Sequence, residues 1–324
     1  MSKFIGRRLA CGVGRETDRG VGVAPTQWLG QVSFSLFDKA LKARSEASTG
    51  GIWGGDQALV ARKFAEGEIE AELDDKSFGL ILVGLVGQNA SSAVFSGANK
   101  HSYTLLNSSE HASLSISTTD PNGDVIYEMG MVDSLNIDFS PDELVKYTVG
   151  FKSKNSATSS VTAAYAANNK FLGRQLSVKI AADTASLTAA SALTISKANI
   201  TFNKNTEFYN VVGSVQPQDI NNKLFTITGE IEISFDNYTY RDYMLDGDYK
   251  ALRLDLVNSD VTIGSTNPSF RVDLSRVDFD TWDVDYSLDD IVKQTITFNA
   301  LYDLAGGNDN LFNDMYLINE VESY

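Results

Sequence analysis

The chain of 324 residues carries 27 Lys and Arg against 42 Asp and Glu, a net charge of −15, with 43% hydrophobic and 21% charged residues. This acidic balance argues against a surface that clamps nucleic acid through its phosphates, and no apolar run approaches the roughly 18 residues of a membrane helix. The single cysteine, Cys11, excludes an intrachain disulfide framework and a cysteine metal cluster, and is expected to be inert packing.

The length suits two domains in a soluble globular protein. Met1–Arg8 has two arginines with no apolar stretch behind them, so a signal or transit peptide is not expected. Residues 1–31 hold Gly6, Gly12, Gly14, Gly20, Gly22 and Pro25 between short apolar pieces and read as an N-terminal arm rather than a core element. Alternation predicts a strand at 32–36, with Val32, Phe34 and Leu36 on one side and Ser33 and Ser35 on the other. In the glycine-rich loop 47–55, Trp53 is either tucked under its own loop or held out for a partner.

Strict alternation follows from residue 62. Glu66, Glu68, Glu70 and Glu72 share one strand face, and Ala65, Ile69, Ala71 and Leu73 take the other. Lining up like charges costs from a few tenths to about 1 kcal/mol per close contact, so the stripe asks for a role. Residues 78–86 are an apolar run that Ser77 or Asp75 would cap as a short helix ending near Gly87. A buried strand is the competing reading, because so short a run carries no decisive period. Asp120-Pro121-Asn122-Gly123, between two alternating segments, predicts a β-hairpin. Another alternating pair lies around 135–139 and 145–151. Residues 152–192, rich in Ser, Ala, Thr and Asn and punctuated by Phe171 and Leu172, read as an interdomain connection.

The pattern then restarts. Phe37-Asp38-Lys39 returns as Phe202-Asn203-Lys204, Gly67-Glu68-Ile69-Glu70 as Gly229-Glu230-Ile231-Glu232, and Asp142–Phe151 as Asp289–Phe298. The order is kept, and the distance between partners shortens along the chain, which requires a longer insertion around 87–112 in the first copy. Together the matches predict tandem duplication of a β-rich unit of about 150 residues. In the second copy the polar face carries Thr226 and Thr228 before Glu230 and Glu232.

Catalysis finds no support. His101 and His111 lie in the insertion without a nucleophile or zinc pattern and read as structural. The Asp-rich run 273–290 offers hard oxygen ligands but lacks the glycine and terminal glutamate of an EF-hand loop, and reads as a solvated strand face. Glu68 with Glu70, or Glu230 with Glu232, could pair as glycosidase carboxylates, yet a regular stripe gives its members similar environments where that chemistry needs distinct ones. Gly12-Val13-Gly14 lacks the preceding strand of a phosphate loop.

The arm from Gly14-Arg15-Glu16-Thr17 to Trp28, the segment from Gly67-Glu68-Ile69-Glu70 to Phe78-Gly79-Leu80 and the hairpin Asp120-Pro121-Asn122-Gly123 resemble the major tail tube proteins of long-tailed bacteriophages, most clearly over residues 12–153. The resemblance implies a mainly β fold. Two tandem antiparallel β-sandwich or barrel domains are expected, each with a short flanking helix, at 32–155 and 193–324, after the arm 1–31 and joined by 156–192. It implies a structural, non-enzymatic subunit without cofactors, located in the virion tail and assembled in the host cytoplasm. Its partners would be further copies of itself, other tail proteins at the tube ends, and phage DNA passing without specific binding, with no membrane. Two units per chain imply trimeric rings of pseudo-sixfold symmetry, stacked around a channel. Glu66, Glu68, Glu70, Glu72, Thr228, Glu230 and Glu232 would line it, although the same alternation fits an outer face. Contacts between rings or subunits would fall to Trp28, Trp53, Gln216, Asp219, Phe312 and Tyr316. The alternatives are a hexamer of chains with the second unit as outer decoration, and a non-enzymatic β-sandwich binding or tail decoration module.

Overall fold

A computed structural model describes residues 3–48, 50–95, 97–289, 291–304 and 311–324. Thr49 and Asp290, and part of the C-terminal segment 303–324, lie outside the described residues. The fold is mainly β. The first half contains β1 (Ala10–Arg15), β2 (Gln27–Trp28), β3 (Gln31–Phe34), β4 (Phe37–Arg44), β5 (Ala58–Glu72), helix α1 (Ser77–Val86) and β6 (Gly87–Phe95). It continues through β7 (Ala98–Leu105), β8 (Leu114–Asp120), β9 (Gly123–Phe139), β10 (Lys146–Ser153) and β11 (Ala157–Ser159). The second half contains β12 (Leu176–Ala181), β13 (Ile195–Asn203), β14 (Glu207–Tyr209), β15 (Asp219–Asn221), β16 (Thr226–Ser234) and α2 (Thr239–Asp246). It ends with β17 (Lys250–Val257), β18 (Ser269–Asp285), β19 (Lys293–Ala300) and β20 (Phe312–Asn319).

The main sheet is antiparallel throughout and runs β4–β5–β10–β9–β13–β16–β19–β18, with β3 continuing the β4 side of β5. Its first four positions and its last four pair in the same order. The register matches as well. Lys146 stands opposite Glu72 and Thr148 opposite Glu70, while Lys293 stands opposite Ser234 and Thr295 opposite Glu232, so β5 maps to β16 and β10 to β19. Even the bulges correspond. Asp133 drops out of the β9–β10 ladder, and Asp280 drops out at the equivalent point of the β18–β19 ladder. The first strand corrects the sequence alignment by a single position. Phe37 opposite Glu66 corresponds to Thr201 opposite Thr228, and not to Phe202. The two phenylalanines point to opposite faces, Phe37 being 57% exposed and Phe202 fully buried.

The apolar face of the main sheet is covered by α1 and by a second layer. In that layer β1 pairs with β2 and β8, and β8 with the first part of β9; separately, β17 and β20 flank the first part of β18, β12 flanks β17, and the hairpin β6–β7 joins on through β20. The two long strands β9 and β18 thus each pass from one layer to the other. Every residue of α1 is buried, and Phe78 touches both layers, with ring centroids 5.1 Å from Tyr147 and 5.2 Å from Phe270. A helix apolar all round requires such a sandwiched position. One core cluster extends from Cys11 and Ile69 through α1 to Phe202, Ile231 and Phe298, so both halves share it.

The apolar run 78–86 is therefore helix, and it ends at Gly87 with φ +87° as an αL cap. Its start is held neither by Ser77 as a cap nor by Asp75. The N-cap position is Lys76, and Asp74 just before it holds the first turn, its Oδ1 accepting from the Ser77 amide at 2.6 Å and its Oδ2 from the Ser77 hydroxyl at 2.6 Å, while Asp75 accepts from Asn169. Burial raises the Asp74 carboxyl above the usual range, and the Ser77 hydrogen bonds oppose that rise.

Two segments that read as connecting chain contribute parts of the core. Within 1–31, β1 pairs with β8 along its whole length and buries Cys11 and Val13. Its glycines permit close crossing: a Cβ on Gly12 would lie 2.7 Å from Pro25, and one on Gly14 would lie 2.5 Å from the Ala24 carbonyl oxygen. Within 156–192, Phe171 is fully buried, its amide bonding to Leu73 O and its carbonyl accepting from Val145 N, and β12 pairs with β17. Burial pushes the Cys11 thiol up to about 12, as suits an unreactive packing residue.

Candidate functional site

The alternation of β5 resolves as expected. Ala65, Ile69, Ala71 and Leu73 are fully buried, whereas Glu68 is exposed and Glu66, Glu70 and Glu72 half-buried on the other face. What the sequence did not disclose is how far that polar face continues. Ser33, Glu70, Thr148, Asn136, Thr201, Thr228, Asn299 and Asp278 form one cross-strand row spanning the main sheet. The next row reads Glu72, Lys146, Asp138, Asn199, Glu230, Thr297 and Thr281. Both rows are polar throughout and contributed by both halves.

Lysines temper the self-repulsion of the stripe. Lys39 Nζ lies 3.2 Å from Glu66 and Lys146 Nζ 3.9 Å from Glu70, and Lys170 pairs with Glu72. Such partly exposed pairs are worth about 0–1 kcal/mol each, enough to offset the like-charge cost locally. In the second half, the Ser196 hydroxyl donates to Glu232 at 2.6 Å, with Lys293 at 3.4 Å, and these contacts hold the Glu232 carboxyl below its ordinary range. Across the face the carboxylates, with Asp138, Asp278, Asp283 and Asp285 added, still outweigh Lys39, Lys146, Lys152, Lys197 and Lys293.

The two edges of this sheet differ in charge. On one, β4 carries Lys39, Lys42 and Arg44, and every residue of β4 is exposed. On the other, the last part of β18 carries Asp280, Asp283 and Asp285, all exposed or nearly so, beside half-buried Asp278. Among the described residues no cluster of three His, Cys, Asp or Glu is arranged to hold a metal ion, and the Asp-rich run divides between this edge and Asp273, which is buried against Arg253. The sequence carries a signal for the bulge in β18, though not for the edge. Aspartates at 278 and 280, then at 283 and 285, keep a period of two broken by a single slip, the mark of a bulged strand.

The hairpin β4–β5 projects from the sheet with Phe37, Leu41, Leu59 and Val60 exposed along it. Trp53, at its tip, is 73% exposed, and Ile52 beside it is wholly exposed. The remaining contact candidates lie elsewhere. Trp28, Phe312 and Tyr316 are buried within the chain, Gln216 Nε2 donates to Asn155 Oδ1 at 2.6 Å, and Asp219 pairs with Arg19 at 2.6 Å.

That last contact belongs to a clasp between the halves. Arg19 also donates to the carbonyl oxygens of His111, at 2.5 Å, and Ile220. Lys204, fully buried, donates to Gly84 O at the C-terminal end of α1 at 2.8 Å, where a cation meets the negative end of the helix dipole. His111 packs beside it, its ring nitrogens 3.3 Å from Leu85 O and 2.8 Å from Leu106 O. His101 is likewise buried, between Ser91 and Asn319. Burial lowers Lys204 to about 7, with Arg19 acting in the same direction. A folded pKa below the unfolded one means that the unfolded chain binds more protons between about 7 and 10.5, so stability rises with pH across that window. Between pH 7 and 9.5 the protein is expected to gain up to about 1.4 kcal/mol per pH unit relative to Lys204→Met, measured by denaturant melts at each pH. Parallel curves for the two proteins would refute the assignment.

No helix among the described residues is long and apolar enough to cross a membrane. The sequence model of a family described as phage tail tube protein matches residues 6–300. No curated protein matches the chain.

Proposed function

Because the chain belongs to the phage tail tube protein family, a structural subunit of the virion tail, we propose that copies of it close their main sheets edge to edge into a ring whose polar face lines a DNA-conducting channel. The observation that carries this reading is the main sheet itself. It is polar in continuous rows on one face, sealed by α1 and the second layer on the other, and open at two edges of opposite charge. Open edges are a liability in a free protein, and closure removes them.

Three copies per ring fit the strand count. Each chain supplies eight strand positions among the described residues. At the usual strand spacing and tilt, three copies make a barrel about 50 Å across and two make one of about 30 Å. Side chains take about 5 Å from each wall, which leaves the smaller barrel no room for a hydrated duplex. A second unit carried outside a ring of first units would have to break the β9–β13 pairing, so that arrangement is disfavoured. Stacking of rings falls to the β4–β5 hairpin with Trp53. Carboxylates on the wall repel phosphates over a Debye length of about 8 Å, so the duplex passes without sticking.

Electron micrographs of purified protein are expected to show hollow rings or tubes with three chains per ring. A persistent monomer at high concentration would overturn the reading. Reversing Glu66, Glu68, Glu70 and Glu72 to lysine is expected to permit assembly while slowing or trapping DNA. Ejection that proceeds unchanged through such tubes would place these residues away from the channel.

A further inference from the structure

Within the main sheet the two halves meet at the β9–β13 seam, and that seam specifies another that no single copy can make. We infer that the free edge of β18 pairs antiparallel with the free edge of β3 and β4 of a second copy, in the register that sets Thr281 opposite Lys39 and Asp283 opposite Phe37. This inference rests on the ring reading above and adds to it a defined register.

Within the chain, β9 pairs with β13 so that Ser134 faces Asn203 and Asn136 faces Thr201. The counterpart of β9 is β18, since Leu135 opposite Val149 answers to Trp282 opposite Ile296 and the bulges match. The counterpart of β13 is the strand of β3 and β4, since Thr201 opposite Thr228 answers to Phe37 opposite Glu66. Applying both correspondences to the internal seam yields the intermolecular pairs directly. Ser134 and Asn203 become Thr281 and Lys39, and Asn136 and Thr201 become Asp283 and Phe37.

Details beyond the register agree. At the internal seam the bulge residue Asp133 is doubly used, its carbonyl accepting from Lys204 N at 2.8 Å and its carboxylate from Thr206 N at 2.7 Å. Its counterpart Asp280 is exposed, and the counterparts of Lys204 and Thr206 are Ala40 and Lys42 on the open edge of β4. Asp280 thus has a backbone donor pair and a lysine waiting in the next copy. The acidic edge of β18 meets the basic edge of β4, a charge pattern that also discourages two like edges from pairing.

Opposed residues in an antiparallel pair have Cα atoms about 4.5–5.5 Å apart, within the range a disulfide spans. The test is a set of double-cysteine variants of the full chain, assembled, oxidised and run on non-reducing gels; buried Cys11 does not compete. Thr281→Cys with Lys39→Cys, and independently Asp283→Cys with Phe37→Cys, should each give a ladder of covalent oligomers. Thr281→Cys with Leu41→Cys, out of register on the same face of the same strand, should crosslink at least tenfold less. Rings in micrographs with crosslinks only in the shifted pair, or with none, overturn the register and leave the ring reading standing. Absence of both rings and crosslinks overturns the two together.

Discussion

Replacing Ala40 by proline is expected to leave the protomer folded and to abolish its polymerisation. Ala40 lies opposite Lys63 in the β4–β5 ladder, but the Lys63 amide donates to Val215 O at 2.7 Å rather than to β4. The Ala40–Lys63 pair is therefore a non-bonded one, in which each residue turns its amide away from the other. The Ala40 amide accordingly faces the open edge, as its counterpart Lys204 faces β9. Proline at an edge position with an outward amide costs the monomer little, about 1 kcal/mol or less. It removes a seam hydrogen bond and sets a ring in its place, and the loss recurs at every junction between copies. Circular dichroism melts should therefore differ by a few degrees at most, while sedimentation and micrographs show only free protomer. Tubes of normal length from Ala40→Pro would show that β4 is not the edge through which copies join.

Asp273→Ala is expected to have the opposite signature, a large loss of stability with the assembly chemistry untouched. Its carboxylate accepts from Arg253 Nε and Nη2, both at 2.7 Å, with side chains 9% and 4% exposed, and that bidentate contact raises the Arg253 guanidinium above its ordinary range. Among the described residues the other side-chain hydrogen bond of Arg253 is a long one to Thr188 at 3.4 Å, and Asp255 adds a weaker favourable charge. Removing the acid strands a buried cation between β17 and β18, which costs about 3–5 kcal/mol. Urea denaturation should register the loss at neutral pH, and replacing both partners by apolar residues, Arg253→Met with Asp273→Leu, should recover most of it. A loss below about 1 kcal/mol from the single change would mean that the pair is already solvated.

Ala40 does not stand out in the sequence, and Asp273 does so only as the first of an Asp-rich run that reads as a solvated face, whereas other features are plain. The stripe at 66–72, the helix at 78–86 and the hairpin turn at 120–123 were legible because each is written as a local period or a local breaker. The strand β1 was not, since its glycines signal a loop by composition and serve here to let the chain cross closely over itself. Phe171 reads only as punctuation for a related reason: a single buried anchor in a Ser- and Ala-rich stretch leaves no period. Phe37 and Phe202 misled through their identity, because residue type says nothing of which face a side chain takes. Trp28, Phe312 and Tyr316 belong to terminal segments that the family resemblance sets on a contact surface, yet the fold buries all three side chains within the chain. The role of Asp280 depends on β18 being an edge, a property of topology that no window of sequence contains.

The seam between β9 and β13 is closed once per chain, before any two chains meet. In the proposed ring this fixes a parity. Units can be added only in twos, so rings of five or seven are unreachable, and a ring short by one chain lacks a third of its circumference rather than a sixth. The nearest wrong size then demands a far larger change in curvature at every seam than it would for single units. Coarse counting of this kind raises the penalty for miscounting, and a tube whose bore must stay constant over many stacked rings gains accuracy from having fewer, larger steps to closure.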